Sequence, residues 1–391
     1  MTRPIDGDPY PLPQTQRELY DAFSKFEIDP TTYGLFSGQG NIDLAEKVAE
    51  LVNKTNHVSA SAFGDGEIHP QVTHNTFQRR AFVINSMYPN PNDRLVETQL
   101  LASALRDSGA TRVIALVPYL AYARSDRRDL SGSTAGAKVA LRGLEVNGVT
   151  DLEVLDPHDE RILEITGNRT HALYNSKALI PRIARNEFPN GATLEDDAAS
   201  PDIGGSRRTR LWASQLGISN LIFMHKVRDT NLHDRTQTLG MTGVPGTGTK
   251  VLVDDLIATG GTSFDGSRML KADRSDSSTV QPSNLVYETA DRLKQKGQRK
   301  VVVAAAHGLF IPDPNHGGLT LPERMVDDPG NCPIDRLYIT DSIKPVPIFE
   351  ENKWLKDRTA IVSCAPILAV AIMCYLTGSD IDERLNFKVR K

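Results

Sequence analysis

Short apolar runs alternate with amphipathic stretches along most of the chain, and this alternation constrains the fold more than any other feature. Residues 81–85 (AFVIN), 112–117 (RVIALV) and 152–155 (LEVL) are typical of buried strands. Residues 94–108 and 135–146, which lie between them, have helical apolar spacing. Because strands alternate with helices in this way, the pattern predicts an α/β fold with a mainly parallel sheet flanked by helices.

A second set of strand and helix candidates follows, which indicates that the α/β unit is approximately duplicated. The strand candidates are residues 221–224, 250–253, 300–305, 336–340 and 359–363, and the helix candidates are residues 207–216, 283–296 and 365–376. A chain of 391 residues also has the length of two domains. We therefore predict an extension at residues 1–34, an N-terminal domain at 35–178 and a C-terminal domain at 179–391, whose last residues are candidates for packing on the N-terminal domain.

Several stretches depart from the α/β alternation. Residues 240–249, 272–282 and 311–333 are polar or glycine-rich, and they are predicted to be surface insertions. Residues 361–376 are strongly apolar, but they include a proline and are too few for a confident membrane span. We interpret residues 361–376 as a buried strand and helix.

Charge and cysteine content exclude several classes of function. The formal charge is −4 and no run of five basic residues occurs, so neither a nucleic-acid partner nor a membrane partner is expected. The N-terminus lacks the apolar segment of a secretory signal. Cys332, Cys364 and Cys374 are widely spaced and form no CxxC pair, which favours a reducing, cytoplasmic location.

Residues 251–263 (VLVDDLIATGGTS) carry the clearest chemical signal. Two adjacent carboxylates at the end of a predicted strand, Asp254 and Asp255, can bind cis hydroxyls and a hard cation. The glycines that follow can turn backbone N–H groups toward an anion, and a helix N-terminus adds partial positive charge. Ribose 5-phosphate offers this combination of a diol and a monophosphate. An ordinary glycine-rich turn is the alternative, and it is less favoured because all these parts occur in one window.

The same segment resembles the phosphate loop of type I phosphoribosyltransferases and phosphoribosyl-pyrophosphate synthetases. Further motifs, in the same order, resemble the synthetase branch, the ribose-phosphate pyrophosphokinases. They are residues 63–67 (FGDGE), 118–128 (PYLAYARSDRR), 156–158 (DPH), 200–205 (SPDIGG), 226–228 (KVR) and 306–310 (AHGLF). The resemblance covers about residue 36 to the C-terminus and implies two tandem phosphoribosyltransferase-like domains of type I.

The resemblance implies an enzyme that uses Mg²⁺ to transfer the pyrophosphoryl group of ATP to the C1 hydroxyl of ribose 5-phosphate, releasing AMP. Lys226 and Arg228 are the implied catalytic residues, which would neutralise the transferring phosphates. The implied ATP-binding residues are Phe63, Asp65, Glu67, Arg124, Ser125, Asp126 and His158. The implied ribose-phosphate residues are Asp202, Asp254, Asp255, Ala258, Thr259, Gly260, Gly261 and Thr262. The implied metal ligands are Asp156, His158, Asp202, Asp254 and Asp255. A homo-oligomer, dimeric or hexameric, is implied as well.

Two departures from the family pattern leave the acceptor open. Ala258 stands where the synthetase loop normally has aspartate, and Ser125 replaces the usual glutamine of the ATP-side motif. The shorter side chain at position 258 would leave room beside the 5-phosphate. A nucleotide-linked ribose 5-phosphate such as ADP-ribose is therefore an alternative acceptor.

Two further functions are weighed against pyrophosphoryl transfer. A phosphoribosyltransferase is supported only by Ala258, which some transferases carry, and it is opposed by the ATP-side motifs. A non-catalytic paralogue would be expected to lack the basic pair or the acidic pair, yet Lys226, Arg228, Asp254 and Asp255 are all present. Single residues also have plainer interpretations, such as a core position for Phe63 or a surface role for His158.

Overall fold

A computed structural model describes residues 12, 16–58, 60–128, 131–165, 167, 169–228, 236–259, 300–313, 317–330 and 332–385, with the backbone alone at 60, 225–228 and 236–241. The chain divides into two compact units. Unit 1 comprises Met1–Ala178, Asp341–Lys344 and Ser363–Lys391, and unit 2 comprises Leu179–Thr340 and Pro345–Val362.

Unit 1 is built on a six-stranded sheet whose strand order is β2-β1-β5-β6-β7-β8, with every neighbouring pair parallel. Two further strands, β3 and β4, form a separate antiparallel hairpin. The elements before the unit boundary are α1 (Gln16–Phe23), β1 (Tyr33–Ser37), α2 (Ile42–Leu51), β2 (Asn56–Val58), β3 (Ala60–Ala62), β4 (Ile68–Pro70), β5 (Arg80–Ile84), α3 (Pro91–Asp107), β6 (Arg112–Val117), α4 (Gly136–Val146), β7 (Asp151–Leu155) and β8 (Arg169–Leu173). The next helix, α5 (Ser176–Glu187), begins in unit 1 and continues into unit 2.

Unit 2 is built on a seven-stranded sheet whose order is β11-β10-β9-β12-β13-β14-β15, in which only the β10–β11 pair is antiparallel. Its described elements are β9 (Asp197–Ser200), α6 (Ser206–Leu216), β10 (Asn220–Arg228), β11 (Thr236–Thr242), β12 (Lys250–Ile257), β13 (Val301–Gly308), α7 (Leu321–Asp327), β14 (Arg336–Thr340), α8 (Ile348–Glu351), α9 (Lys353–Lys356) and β15 (Thr359–Val362). The prediction of two mainly parallel, helix-flanked sheets is confirmed.

The last two helices, α10 (Ala365–Thr377) and α11 (Ile381–Leu385), belong to unit 1. Every residue of α10 from 365 to 374 is buried, which explains why the helix is apolar on all sides. The buried helix predicted within residues 361–376 is thus confirmed, whereas the strand part, the end of β15 at the edge of the unit 2 sheet, is only half-buried. Among the helices that the structure describes, none is both long and apolar enough to cross a membrane.

Alternating side chains of the unit 1 strands supply two separate cores. In β1, Leu35 packs with α2 and α10 on one face, whereas Phe36 packs with α3 and α4 on the other. Leu19 and Phe23 of α1 are buried in the first of these cores. The described part of the predicted extension therefore contributes to the core of unit 1.

Two sequence predictions in unit 2 need correction. The surface insertion at 311–333 contains α7, and its Leu321 and Met325 are fully buried against the sheet. The glycine-rich stretch 240–249 begins inside β11 and then continues as a loop that donates hydrogen bonds to Asp196 and Asp197 at the start of β9. The predicted helix at 283–296 and the insertion at 272–282 lie outside the described residues.

Candidate active site

The paired carboxylates of unit 2 lie inside β12, where the sequence predicted them just after the strand. β12 continues to Ile257 because it remains paired with β13, and the register joins Asp254 to Ala305. On the other side, β9 ends at Ser200, so Asp254 and Asp255 extend beyond the carboxyl end of that neighbour. Strand order reverses between β9 and β12, and such a switch point is where ligands bind in open α/β sheets.

An arginine that the sequence argument missed lies against this carboxylate pair. Arg208, in the first turn of α6, has its Nη1 3.4 Å from Asp255 Oδ1 and 3.9 Å from Asp254 Oδ1. Adjacent arginines on a predicted helix after the 200–205 turn were the available signal, but sequence does not show which of them faces the sheet.

The turn before α6 brings Asp202 to the helix N-terminus. Asp202 Oδ1 accepts a hydrogen bond from the Gly205 N–H at 2.9 Å. A Cβ at Gly205 would collide with Ser200 Oγ, so any larger residue where the chain enters α6 would displace that hydroxyl. The motif at 200–205 therefore fixes both the turn and the first turn of α6, which carries Arg208.

The electrostatics of the pair suit a bound cation. Burial raises the pKa of Asp254 well above its usual range, the negative charges of Asp255 and Asp202 raise it further, and Arg208 opposes these effects. The Asp254 side chain keeps 20% of its surface exposed, so a ligand can reach it. A cation would relieve the repulsion between the two carboxylates.

The paired carboxylates are suitable ligands for magnesium. Mg²⁺ is usually held by one or two carboxylates, with water and substrate phosphate completing its octahedral shell. Within the described ranges, no group of three or more His, Cys, Asp or Glu side chains is arranged to hold a metal. Asp254 and Asp255, which lie together against Arg208, are carboxylates of the kind that such a cation binds.

The phosphate loop is described only at its beginning. Ala258 follows β12, and its carbonyl oxygen accepts a hydrogen bond from the Ile311 N–H at 2.9 Å. Thr259 is the last described residue of the loop, and Gly260, Gly261 and Thr262 lie outside the described residues.

The basic pair lies at the same edge of the sheet as the carboxylates. The β9–β10 pairing ends at Phe223, so Lys226 and Arg228 continue past the carboxyl end of β9. Their backbones pair with β11, with a register irregularity between His225 and Lys226. Parallel strands bring their carboxyl ends to one edge, so β10 and β12 carry the basic pair and the acidic pair there.

In unit 1, the motif at 63–67 forms the tight turn of the β3–β4 hairpin. The Phe63 N–H donates to Glu67 O at 2.8 Å, and the Glu67 N–H donates to Asp65 Oδ1 at 3.0 Å. Gly66 has φ +95°, a conformation that glycine adopts without strain. Phe63 is 54% exposed, so its interpretation as a core residue is wrong.

The motif at 118–128 follows β6 and carries an exposed Arg124. Ser125 Oγ accepts a hydrogen bond from the Gly136 N–H at 3.0 Å, so this hydroxyl holds the start of α4. Asp126 lies 3.3 Å from Arg161 Nη2. The structure thereby connects the loop after β6 with the segment after the neighbouring strand β7.

The motif at 156–158 follows β7 directly. Asp156 is buried in a left-handed conformation (φ +41°), and its Oδ2 accepts the Asn175 N–H at 2.7 Å. His158 is exposed. Next to it, hydrogen bonds from Arg161 hold the pKa of Asp159 at about 2. Of the two predicted cation ligands here, His158 is the accessible one.

Two mainly parallel α/β units, one with a carboxylate pair at a switch point, define a protein of the duplicated phosphoribosyltransferase-like class. Residues 33–148 match the model of the N-terminal domain of ribose phosphate pyrophosphokinase. The chain is 31% identical to the ribose-phosphate pyrophosphokinase of Ralstonia nicotianae over 89% of this chain and 96% of the relative. With the Thermotoga maritima enzyme of that name, identity is 26% over 87% of this chain and 93% of the relative.

Structural similarity extends over the same length. A crystal structure of phosphoribosylpyrophosphate synthetase from Mycobacterium smegmatis matches with a TM-score of 0.68 and 25% identity, over 89% of this chain and 99% of that one. The chain therefore belongs to the ribose-phosphate pyrophosphokinase family, and it is an enzyme of this type.

Proposed function

We propose that the protein transfers the pyrophosphoryl group of ATP to the C1 hydroxyl of ribose 5-phosphate in a Mg²⁺-dependent reaction. The observation that carries the proposal is the joint position of the carboxylate pair and the basic pair at the carboxyl edge of one sheet. It is further supported by the curated ribose-phosphate pyrophosphokinases, whose sequences match this chain over most of its length.

The proposed step is a displacement at the β-phosphorus of ATP. The C1 oxygen of the ribose forms a bond to that phosphorus, and the bond from the phosphorus to the oxygen shared with the α-phosphate breaks. AMP leaves with the electron pair of that bond, and the hydroxyl proton passes to water. Because little covalent work falls to the protein in such reactions, positioning and charge neutralisation account for the catalysis.

Each group of residues has a proposed part in this step. Lys226 and Arg228 neutralise charge on the transferring phosphates. Asp254 and Asp255 bind the ribose diol and the cation, with Asp202, Asp156 and His158 as further proposed cation ligands. The loop of Ala258, Thr259, Gly260, Gly261 and Thr262 binds the 5-phosphate. When bound, Mg²⁺ supplies positive charge to the phosphate oxygens.

ATP is proposed to bind through residues of unit 1. Phe63 would stack on the adenine ring, while Asp65 and Glu67 on the same turn would accept hydrogen bonds from the nucleotide. The proposed binding set also includes Arg124, Ser125, Asp126 and His158. We further propose that the enzyme is a cytoplasmic homo-oligomer, whose size light scattering of the purified protein would measure.

Ala258 favours one second candidate, the same reaction on a nucleotide-linked ribose 5-phosphate such as ADP-ribose. The position lacks a carboxylate beside the proposed 5-phosphate site, so an esterified phosphate would meet less steric and electrostatic opposition. The two acceptors can be compared directly by mass spectrometry of the products.

The experiment incubates the purified enzyme with ATP, Mg²⁺ and one acceptor at a time. We expect AMP and the ribose 1-pyrophosphate with ribose 5-phosphate, at a higher rate than with ADP-ribose. Faster turnover of ADP-ribose would show that the second candidate, a nucleotide-linked acceptor, is the right one. Absence of AMP with every acceptor would contradict pyrophosphoryl transfer and leave a phosphoribosyltransferase or a non-catalytic role.

A further inference from the structure

The turn that carries Phe63 includes an aromatic contact that the proposed function does not use. The ring of His69, on β4, lies 4.8 Å from the ring of Phe63, with an interplanar angle of 35°. His69 is held across the hairpin by Ser61, whose Oγ donates to His69 O at 2.9 Å. The imidazole therefore packs against the ring of Phe63, a residue that is still largely exposed.

A second ring pair closes the base of the same hairpin. The rings of His57 and His74 are stacked, with centroids 4.2 Å apart and planes 20° from parallel. His57 precedes β3 and His74 follows β4, so the stack joins the two chain segments from which the hairpin emerges.

The stacked rings of His57 and His74 are anchored in the body of unit 1. The register of β1 and β2 places His57 beside the buried Phe36, at a ring distance of 5.6 Å. Two residues after His74, Thr76 Oγ1 donates to Ser108 O at 3.1 Å. Ring contacts therefore run from Phe36 in the core to His57 and His74 at the base of the hairpin. The contact between His69 and Phe63 lies nearer its tip.

We propose that His69 and the stacked pair His57–His74 are positioning residues that hold Phe63 ready to stack on the adenine ring of ATP. The inference rests on the proposed function, because it takes ATP binding by Phe63 as given. A ring that is already oriented loses less conformational freedom on binding, so the nucleotide is bound more tightly. In this proposal the imidazoles do not contact the reacting atoms. They affect the binding of ATP and leave the binding of ribose 5-phosphate unchanged.

The test compares His69→Ala with His69→Phe in the full-length enzyme. We expect His69→Ala to raise the KM for ATP roughly threefold to tenfold, the range of an aromatic pair, with kcat and the KM for ribose 5-phosphate unchanged. His69→Phe keeps a ring against Phe63, so it should keep the wild-type KM for ATP. Phe77→Ala, which removes an exposed ring of unit 1 outside the hairpin, is the matched control and should change neither constant.

The base of the hairpin is tested in the same way with His74→Ala and His74→Phe. A rise in the KM for ATP with alanine, and its recovery with phenylalanine, would support positioning by the stack. A wild-type KM for ATP in both alanine variants would overturn the inference, as would an equal rise for both substrates. If the wild-type enzyme releases no AMP at all, the proposed function itself has failed, and that outcome is distinct from a variant that behaves like an active wild type.

Discussion

Lys226 is the residue on which the proposed chemistry depends most. A cation aimed at charge that develops on the transferring group stabilises the transition state more than the bound substrates. We expect Lys226→Ala to lower kcat by about 10²- to 10³-fold, with little change in the KM values. Steady-state kinetics would measure this, with Lys353→Ala on the exposed surface of α9 as the control. A kcat near that of the wild type would remove Lys226 from the mechanism.

Glu153 is a buried carboxyl in the middle of β7. Tyr375 OH donates to its Oε1 at 2.6 Å, and Oε2 has no hydrogen-bond partner among the described residues. Burial raises the pKa of Glu153 well above its usual range, the hydrogen bond from Tyr375 opposes this, and Asp151 and Asp382 add to it. A carboxyl whose pKa is higher in the folded protein loses stabilisation as pH rises through that folded value.

The substitution Glu153→Gln tests this pH dependence. The free energy of unfolding of the variant, relative to that of the wild type, should increase as pH rises from about 4 toward the pKa of the folded protein. Urea unfolding of both proteins across that range would measure the difference. A difference that stays constant with pH would contradict ionisation of Glu153 as its cause.

At the residue scale, sequence motifs predicted the residue types of the site better than their contacts. Asp254 and Asp255 were expected after the strand, but pairing with β13 extends β12 through them. Arg208 was missed because only the packing of α6 against the sheet decides which arginine meets the carboxylates. Such contacts depend on the angle between a helix and a sheet, which local sequence does not contain.

At the scale of elements, β9 and β12 are joined by a buried ion pair. Lys250 Nζ lies 2.8 Å from Asp197 Oδ2, and both side chains are fully buried. The same ammonium donates to Gly248 O at 2.8 Å, which secures the loop before β12. Each charge is compensated only while the other is present.

We expect Lys250→Met to lower the free energy of unfolding by about 3–5 kcal/mol, because it leaves the Asp197 carboxylate buried without its cation. The double variant Asp197→Asn/Lys250→Met should recover part of this loss, since the uncompensated charge is gone. Urea unfolding would measure both. A double variant as unstable as the single one would show that the loss comes from packing and not from the unpaired charge.

This ion pair also explains why β9 was not predicted as a strand. The strand is short and begins with an aspartate, although all four of its residues are buried. Lys250 compensates the buried charge of Asp197. The helix α7 was missed within an apparent insertion, although Thr320 and Glu323 form a capping box that marked its start. Long apolar strands such as β6 and β13 were predictable, because burial on both faces leaves an apolar run in the sequence.

At the scale of the whole molecule, the two units differ in what lies at the switch points of their sheets. In unit 2 the Asp254 side chain stays partly exposed at the switch point, whereas Asp255 beside it is buried. In unit 1 the strand order reverses between β1 and β5. At that switch point the backbone of residues 341–342 is hydrogen-bonded to the side chains that follow these two strands. Asn41 Nδ2 donates to Asp341 O at 2.7 Å, and Ser86 Oγ donates to Ser342 O at 2.7 Å. The duplication of the α/β unit was predictable from the strand–helix alternation. The binding of residues 341–342 at the switch point of unit 1 was not, because Asn41 and Asp341 are 300 residues apart in the sequence.

The central claim is that the whole β,γ-pyrophosphoryl group moves, and ATP labelled at its β-phosphorus tests it most directly. The enzyme would be incubated with labelled ATP, Mg²⁺ and ribose 5-phosphate, and the nucleotide and sugar products would be separated. Pyrophosphoryl transfer predicts that the label appears in the ribose product while the AMP formed carries none. Label retained in ADP, as in transfer of the γ-phosphoryl group alone, would contradict the account.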